Sequence, residues 1–263
     1  MKLRQSPMAD KKPLLFTCSL DDGHPSDMKA FALLQRHGID ATFYAPIKNR
    51  EGARILSRAD LREIAACFEI GSHTYDHTAL PTLDPALSRF QVVEGKKKLE
   101  DILGHKIPGF CYPAGKYRML DVDIVKNAGF EYARTTINLC FDNGSRIFEM
   151  PTTMQFYPHS QAVYLRNFIR AGRWPSRMAG LRIALAHEDW IRRLYALFEH
   201  ACQQGGVFHL WGHAKDIDEL NAWQKFDQFL GYVATRVAPE HRLNNGNLAR
   251  QLNSALPSRH PPT

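Results

Sequence analysis

The sequence predicts an α/β fold with a largely parallel sheet or barrel. Short apolar runs of strand length alternate with amphipathic segments of helix length, which is typical of repeated βα units. The chain has 263 residues and 44% hydrophobic content, enough to bury a sizeable core. Several strand candidates end in polar residues, and parallel α/β barrels gather such residues at the carboxyl ends of their strands. These residues are Asp21, Asp22, His73, Tyr112, Arg134 to Thr136, and His213.

Seven segments are predicted to be strands, because each is a short run rich in apolar, aromatic or β-branched residues. They are PLLFTCSL (13–20), ATFYAP (41–46), CFEIGS (67–72), GFCYP (109–113), EYARTT (131–136), FEMPTT (148–153) and GVFHLWG (206–212).

Amphipathic segments between these strands are predicted to be helices. They span 26–38, 57–66, 84–104 and 119–129, and Ser26 can cap the first. The segment near 154–204 interrupts the alternation of strands and helices, and it is predicted to be an insertion of two or three helices. We therefore expect an N-terminal extension (1–12), a single domain (13–243) and a frayed, polar C-terminal tail (244–263).

The charge and cysteine content of the chain indicate which classes of binding partner to expect. The net charge of +7 and a pI near 9.2 favour anionic partners, but the cations are spread along the chain. The densest run, Lys96–Lys98, is predicted to be a solvated helix face, so no nucleic-acid partner is expected. Five cysteines without a CxxC pair predict neither a disulfide framework nor a thiolate zinc site.

The sequence also bears on location. The apolar run near the N-terminus is only about eight residues long and leads into Asp21 and Asp22, which is unlike a signal peptide. No stretch approaches the roughly 18 to 20 apolar residues that a membrane span needs. We therefore expect a cytoplasmic protein without a transmembrane segment.

Two short motifs carry potential metal ligands. In GSHTYDHTAL, His73 and His77 are four residues apart, so both imidazoles can share one face if the segment is helical. Two imidazoles and one carboxylate are a frequent catalytic zinc set that leaves a position open for water. In LDDG, alternation along an extended chain would send the side chains of Asp21 and Asp22 in different directions. One carboxylate could then bind metal while the other faces the activated water.

Each motif also has a simpler explanation. An isolated HxxxH is common by chance. The segment Asp21–Asp22–Gly23 could simply be a turn, because Asp and Gly are turn formers.

Together the motifs resemble the polysaccharide deacetylase family, the metal-dependent carbohydrate deacetylases with nodulation-factor deacetylase homology. TCSLDDG is similar to its T-x-DDG motif, and HTYDH matches H-[ST]-x-x-H. FCYPAG at 110–115 and FHLWGH at 208–213 are similar to the third and the late motif. The resemblance spans residues 17–213 and implies a deformed (β/α)7 TIM-like barrel.

The resemblance also implies roles for individual residues. Asp21 would be the general base, and Asp22, His73 and His77 would bind Zn2+ or another divalent ion such as Co2+, Ni2+ or Mn2+. His213 would be the general acid, with His209 as the competing assignment. Residues implied or expected to bind substrate are Tyr112, Pro113, His209, Arg134 and His24.

The resemblance leaves two residue assignments open. Many members have an arginine in the third motif where this chain has Cys111, and either Lys116 or Arg134 could supply that charge. A carboxylate that orients the acid histidine is also expected. The candidates are Glu188, Asp189, Asp216 and Asp218.

The expected activity is metal-dependent removal of an N-acetyl or related acyl group from an amino sugar in a glycan or glycan precursor. Hydrolysis of a cyclic amide or a small acylamine is the nearest alternative, favoured if the 154–204 insertion walls off the cleft. A non-catalytic module that binds metal and carbohydrate is the alternative from another class, although it would need neither a base nor an acid.

Overall fold

A computed structural model describes residues 12–255, with side chains described as far as residue 251. Nearly all of the predicted 1–12 extension, and residues 256–263 of the predicted tail, lie outside this range. Within it, eight strands form one sheet in which each strand pairing is parallel. They are β1 (Leu14–Leu20), β2 (Ala41–Ala45), β3 (Glu69–Ser72), β4 (Gly109–Cys111), β5 (Tyr132–Arg134), β6 (Met154–Gln155), β7 (Gly206–Gly212) and β8 (Arg242–Leu243).

Seven of these strands follow the order β5-β4-β3-β2-β1-β7-β6 and curl into a deformed (β/α)7 barrel, as predicted. Strand β1 lies inside the sheet and pairs with β7 along its whole length, from Leu14 to Leu20. On its other side, β1 pairs with β8 at Phe16 and Thr17 and then with β2 from Cys18 to Leu20. Asp21 and Asp22 therefore follow a strand that neighbours hold on both sides.

Ten helices surround the sheet in the described range, and none of them combines the length and apolarity that crossing a bilayer requires. They are α1 (Asp27–Arg36), α2 (Arg58–Ala65), α3 (Pro85–Leu103), α4 (Met119–Asn127), α5 (Gln161–Ala171), α6 (Trp174–Ala186), α7 (Trp190–Gln204), α8 (Ala214–Glu219), α9 (Trp223–Arg236) and α10 (Asn245–Ala255). The predicted helical insertion thus consists of α5, α6 and α7.

Helix ends follow local capping chemistry in some places and not in others. Ser57 and Asp60 form a reciprocal capping box at α2, and the side chain of Asp84 caps α3. The predicted cap at Ser26 is wrong, because its side chain accepts no hydrogen bond from the backbone of α1. Its hydroxyl instead donates to Asp218 at 2.6 Å. Asp218, a residue distant in the sequence, has thus replaced the backbone of α1 as the hydrogen-bond partner of the Ser26 side chain.

The core beneath β1 and β7 is aromatic. Phe16 and Phe208 stack with ring centroids 6.0 Å apart, and Phe198 of α7 meets both rings edge-on. All three side chains are fully buried. Aromatic pairs in these geometries stabilise a core beyond their buried area. Helix α7 thereby fixes the two strands that end at the DDG and WGH segments.

The predicted strand at 148–153 is not regular. Residues Ile147–Glu149 form a 3₁₀ turn, and β6 begins only at Met154. Met150 exchanges backbone hydrogen bonds with β5, whereas the N–H of Thr153 donates to the carbonyl of His209 on β7. The N–H of Thr152 still donates to the carbonyl of Ile137, just after β5, so the bonding partner changes between Thr152 and Thr153. The segment thus runs from one edge of the barrel to the other.

The polar segment from Asn244 onward is not frayed over its described part. Residues 245–255 form α10, and Asn245 is fully buried. Its side chain accepts a hydrogen bond from Thr17 Oγ1 at 2.7 Å and donates to Tyr44 at 2.9 Å. Composition predicted fraying because it does not reveal that these polar atoms meet buried partners on β1 and β2.

Candidate active site

The carboxyl ends of the parallel strands bring the predicted polar residues to one edge of the barrel. Asp21 and Asp22 follow β1, His73 follows β3, and His213 follows β7. The N–H of Asp21 donates to the carbonyl of Gly212 at 3.0 Å, which joins the ends of β1 and β7 directly. Residues more than 190 positions apart therefore share one site.

The DDG segment is both a turn and a source of site residues. Asp22 has a φ of 76° and Gly23 a φ of 59°, so both lie in the left-handed region. This turn, rather than the predicted alternation of an extended chain, separates the two carboxylates. For a non-glycine residue such as Asp22 the conformation is strained, and strain of this kind clusters at functional sites.

The HTYDH segment is a turn and not a helix. Thr74 and His77 have φ values of 67° and 64°, which no α-helix contains. The turn still brings the rings of His73 and His77 to 5.1 Å between centroids. The predicted convergence of the two imidazoles is therefore present, but left-handed residues produce it instead of helical spacing.

His73, His77 and Asp22 form a cluster suited to a cation. Asp22 Oδ1 lies 3.4 Å from His73 Nε2 and 3.0 Å from His77 Nε2, and atoms of the three groups lie within the spacing that one ion can bridge. His73 Nδ1 donates to the carbonyl of Cys111 at 2.8 Å, which leaves a lone pair on Nε2 when the ring is neutral. The Nε2 lone pair of His73 and the carboxylate of Asp22 are then two acceptors that face each other, and a cation between them removes their repulsion.

The pKa of His77 also indicates that this cluster favours a cation. Burial opposes protonation of His77, yet the hydrogen bond and charge of Asp22 outweigh it and raise the pKa of His77. The cluster thus favours positive charge. The donor set of two imidazoles and a carboxylate fits zinc or a similar divalent ion.

A second group of potential ligands contains Asp21, His73 and Cys111. It suits a cation less well. Burial raises the pKa of the Cys111 thiol far above its usual range, so the thiol stays protonated. Asp21 already has a cationic partner in Arg134. We therefore assign the candidate metal position to Asp22, His73 and His77.

The Asp21 carboxylate is held by a buried arginine. Arg134 Nη2 donates to Asp21 Oδ1, and both residues are almost fully buried. The guanidinium lies between two rings, 5.2 Å from the centroid of Tyr44 and 4.9 Å from that of Trp211. Cation–π contacts of this kind support a desolvated arginine. The ion pair fixes the position of the Asp21 carboxylate.

His213 is set up as a proton donor. Its Nδ1 donates to Asp216 Oδ2 at 2.7 Å, and its Nε2 lies 3.8 Å from Asp22 Oδ2. Burial disfavours the imidazolium, but the hydrogen bond to Asp216 and the charge of Asp22 outweigh burial. They raise the pKa of His213 from 6.5 to about 9. The ring therefore carries a proton at neutral pH.

The structure chooses among the four carboxylates considered for orienting this histidine, since Asp216 is the one in contact with it. Asp218 instead pairs with Lys29 at 2.6 Å. Asp189 caps α7, and Glu188 is exposed.

His209 occupies a different environment from His213. It is fully buried, and its Nε2 hydrogen bonds with Ser19 Oγ at 2.9 Å. Burial and then the charge of Arg134 lower the pKa of His209 well below its usual value. A neutral ring packed inside the barrel is a poor general acid, which favours His213 for that role.

A cavity of about 400 Å³ opens over these residues. It exposes the two aspartates, the imidazole pair and His213 to a ligand. Its lining consists of Asp21, Asp22, His73, His77, Ala114, Thr136, Asn138, Gln155, His159, Val163, Tyr164, Arg166, Asn167, Trp211 and His213.

The residues expected to bind substrate do not line this cavity. Tyr112 is buried, and its hydroxyl donates to the carbonyl of Phe148 at 3.1 Å. Pro113, Arg134 and His209 are also buried. His24 lies just beyond the DDG turn and contacts Ser26. Ala114, which follows Pro113, and Thr136, two residues after Arg134, line the cavity instead.

Sequence reasoning missed most of the actual lining. Asn138 and Gln155 follow or end strands at the same edge, so the strand-end rule that found Asp21 and Thr136 could have found them. The residues contributed by α5 gave no such signal, because nothing local indicates which part of an insertion folds over the barrel. His159, which lies in the loop just before α5, also lines the cavity.

Comparison with known proteins agrees with this geometry. The sequence profile described as "Polysaccharide deacetylase" matches residues 9–133, which include Asp21, Asp22, His73 and His77. The resemblance to the polysaccharide deacetylase family is therefore confirmed. His213 lies outside the matched segment, so its place in the site comes from the fold.

Two curated relatives match part of the chain. An uncharacterised protein, YlxY, from Bacillus subtilis is 27% identical over 117 residues, covering 44% of this chain and 35% of its own. A chitin deacetylase from Pestalotiopsis sp. is 33% identical over 104 residues, covering 38% and 34%. The matched segment thus spans about a third of each relative's length.

Solved structures of related proteins share the fold over nearly the whole chain. A Mycobacterium smegmatis protein assigned to the polysaccharide deacetylases has a TM-score of 0.62 at 14% identity and covers 95% of this chain and 93% of its own. The chitin deacetylase of Colletotrichum lindemuthianum has a TM-score of 0.55 at 14% identity, covering 90% and 88%. At these identities the likeness concerns the fold.

The chain departs from the polysaccharide deacetylase pattern at Cys111. The register of β4 and β5 pairs Cys111 with Arg134, and Arg134 contacts Asp21. The neighbouring strand therefore supplies the positive charge that the third motif lacks. Lys116, the other candidate, instead lines an adjoining cavity.

Proposed function

We propose that this chain is a metal-dependent hydrolase that removes an acetyl group from an amino sugar. One observation carries the proposal. A base candidate, a cation cluster and a protonated histidine converge on a single cavity. Hydrolysis of an amide needs these three kinds of group, whereas binding alone needs neither the base nor the acid.

Asp22, His73 and His77 would hold the divalent ion. When bound, such an ion polarises the acyl carbonyl and lowers the pKa of water. The strained turns at Asp22 and His77 preorganise the three side chains, so that little rearrangement accompanies ion binding. The hydrogen bond from His73 Nδ1 to the carbonyl of Cys111 orients that ring.

Asp21 would accept the proton of the attacking water. Asp21 lines the cavity, and its ion pair with Arg134 holds the carboxylate in place. After attack, the acyl oxygen carries negative charge. The N–H groups of Gly115 and Lys116 already donate to carbonyls within their own turn. Ala114, which lines the cavity, is therefore the backbone donor of this turn that we assign to the oxyanion.

His213 would donate a proton to the departing amine, which would otherwise leave as an unstable anion. The raised pKa ensures that the proton is available at neutral pH. Asp216 holds the ring from behind through Nδ1, so Nε2 is the atom that faces the reaction.

Replacing Asp216 with asparagine is expected to shift the alkaline fall of kcat to lower pH. The imidazolium is the active form, so activity disappears as pH rises through the pKa of His213, which lies at about 9. Without the Asp216 carboxylate this pKa moves back toward 6.5. A profile of kcat against pH for both proteins measures the shift. Asp218→Asn should keep the wild-type profile, and an unmoved alkaline limb in Asp216→Asn would contradict the acid assignment.

The shape of the cavity bears on substrate size. Val163, Arg166 and Asn167 of α5 form one wall, which favours a terminal sugar or a glycan precursor over the interior of a long polymer. A second cavity of about 680 Å³ shares Asn167 and Asn138 with the first, so a group attached to the sugar has space. The same wall supports a second candidate function, hydrolysis of a cyclic amide or a small acylamine.

The proposal is tested by metal analysis of the purified protein together with a screen of N-acetylated amino sugars, cyclic amides and simple acylamines. We expect one divalent ion per chain and release of acetate from an amino sugar. His77→Ala should lose both ion and activity, because only two ligands remain. His105→Ala, an exposed histidine, is the control. Full metal content in His77→Ala would refute the ligand set, and turnover of cyclic amides alone would favour the second function.

A further inference from the structure

Helices α5 and α6 expose an unusual combination of side chains on their outer sides. Tyr164 and Phe168 of α5 point inward, and Leu181 and Ala184 of α6 do the same. The remaining face is solvent-exposed and carries large apolar residues beside arginines. We call it the arginine–apolar surface, and it consists of Leu165, Arg166, Ile169, Arg170, Arg173, Trp174, Met178, Arg182 and Leu185.

The apolar part of this surface is well exposed. Ile169 is 59% exposed and Trp174 53%, although residues of these types are normally buried. Of the eleven large hydrophobic residues that are exposed in the described part of the chain, five belong to this surface. Contiguous exposed apolar residues mark sites of interaction with a partner or a membrane.

All the charged residues in the segment that carries this surface are positive. Residues 150–187 contain five arginines and no aspartate or glutamate. Arg177 is buried and Arg173 lies 3.5 Å from Asp142. Arg166, Arg170 and Arg182 form no ion pair with any residue that the structure describes. The surface therefore presents uncompensated positive charge next to apolar side chains.

The two helices hold this surface in a fixed arrangement. The guanidinium of Arg177 donates to the carbonyls of Phe168 and Gly172 at the end of α5, at 3.1 and 2.7 Å. It also donates to the carbonyl of Asn138, at 2.7 Å. The exposed apolar side chains thus belong to a packed helical hairpin and not to a loose segment.

We propose that the arginine–apolar surface docks on an anionic lipid bilayer. Helices that lie in a membrane interface combine arginine or lysine with Trp, Leu and Ile in this manner. Anionic headgroups complement the arginines, and the outer acyl region accommodates Ile169 and Trp174. A second copy of the chain fits less well, because self-pairing would bring arginines against arginines. Nucleic acid would leave the aliphatic side chains without partners.

The position of this surface relates it to the cavity. Arg166 belongs to both, and Val163 and Asn167 lie within one turn of it on the cavity wall. Docking would therefore hold the mouth of the cavity at headgroup level. It follows, on the basis of the proposed function, that the substrate is an amino sugar attached to a lipid.

Sedimentation with vesicles tests the docking step. The full chain is mixed with vesicles of phosphatidylcholine alone or of phosphatidylcholine and phosphatidylglycerol in equal parts. We expect binding to the anionic vesicles that weakens with added salt, with a blue shift of tryptophan emission. Ile169→Ser with Trp174→Ser should weaken binding about tenfold or more. Leu87→Ser with Met119→Ser, at comparably exposed positions elsewhere, should bind as wild type.

Other outcomes would overturn the inference. These are no sedimentation with anionic vesicles, equal loss in both double variants, or binding to duplex DNA without binding to vesicles. A wild-type dimer that Ile169→Ser with Trp174→Ser dissociates would instead assign the surface to a second copy. Arg170→Glu with Arg182→Glu is a further variant, and it should also lose vesicle binding.

Hydrolysis of a soluble N-acetyl amino sugar separates this inference from the proposed function. The apolar double variant should keep that activity, since neither position lines the cavity. Vesicle binding without any hydrolysis would refute the function alone. Hydrolysis without vesicle binding would refute the docking surface alone.

Discussion

Asp21→Asn is expected to lower kcat by about 10²- to 10⁴-fold, the usual contribution of a general base. The amide cannot accept the proton of the attacking water. Asp22, His73 and His77 are untouched, so the metal content should equal that of the wild type. Steady-state kinetics on the best amino sugar and metal analysis of the same sample give the two measurements.

Asp27→Asn is the matched control for this result. Asp27 is also fully buried near the site, but burial, followed by the charges of Asp22 and Asp21, raises its pKa well above the usual range. Its carboxyl group is therefore neutral, and an amide of the same shape should leave kcat nearly unchanged. Wild-type turnover by Asp21→Asn would remove Asp21 from the role of base, and an equal loss in both variants would show that the effect is not specific.

Arg134→Gln is expected to lower the free energy of unfolding by about 3–5 kcal/mol, because it leaves the buried charge of Asp21 without a partner. The variant should also lose activity, since the position of the carboxylate depends on the guanidinium. Urea denaturation of wild type and variant in the same chelating buffer measures the change in stability.

Two further variants sharpen this test. Arg146→Gln breaks an exposed pair with Glu149 and should leave the free energy of unfolding essentially unchanged. In an Asp21→Asn background, Arg134→Gln should cost much less than in the wild type, since the carboxylate that needed the cation is absent. Equal costs in both backgrounds would show that Arg134 stabilises the fold by packing between Tyr44 and Trp211, independently of Asp21.

The sequence predicted the strands and helices well where a periodic apolar pattern coincided with regular structure. Strands β1 and β7 match their predicted segments almost residue for residue. The prediction failed at 148–153, where the hydrogen bonds change partner before Thr153, and at α10, where buried partners order a polar helix. Both failures concern contacts with distant parts of the chain, which a local pattern does not contain.

By itself the sequence determined the parallel α/β architecture, the family resemblance and the segments that carry Asp21, Asp22, His73, His77 and His213. These depend on short-range patterns, namely side-chain periodicity and motifs a few residues long. Only the tertiary structure decided that Arg134 contacts Asp21, that Asp216 orients His213 and that α5 walls the cavity. Those pairings depend on strand register and helix packing, which bring together residues whose separation along the chain leaves no local trace.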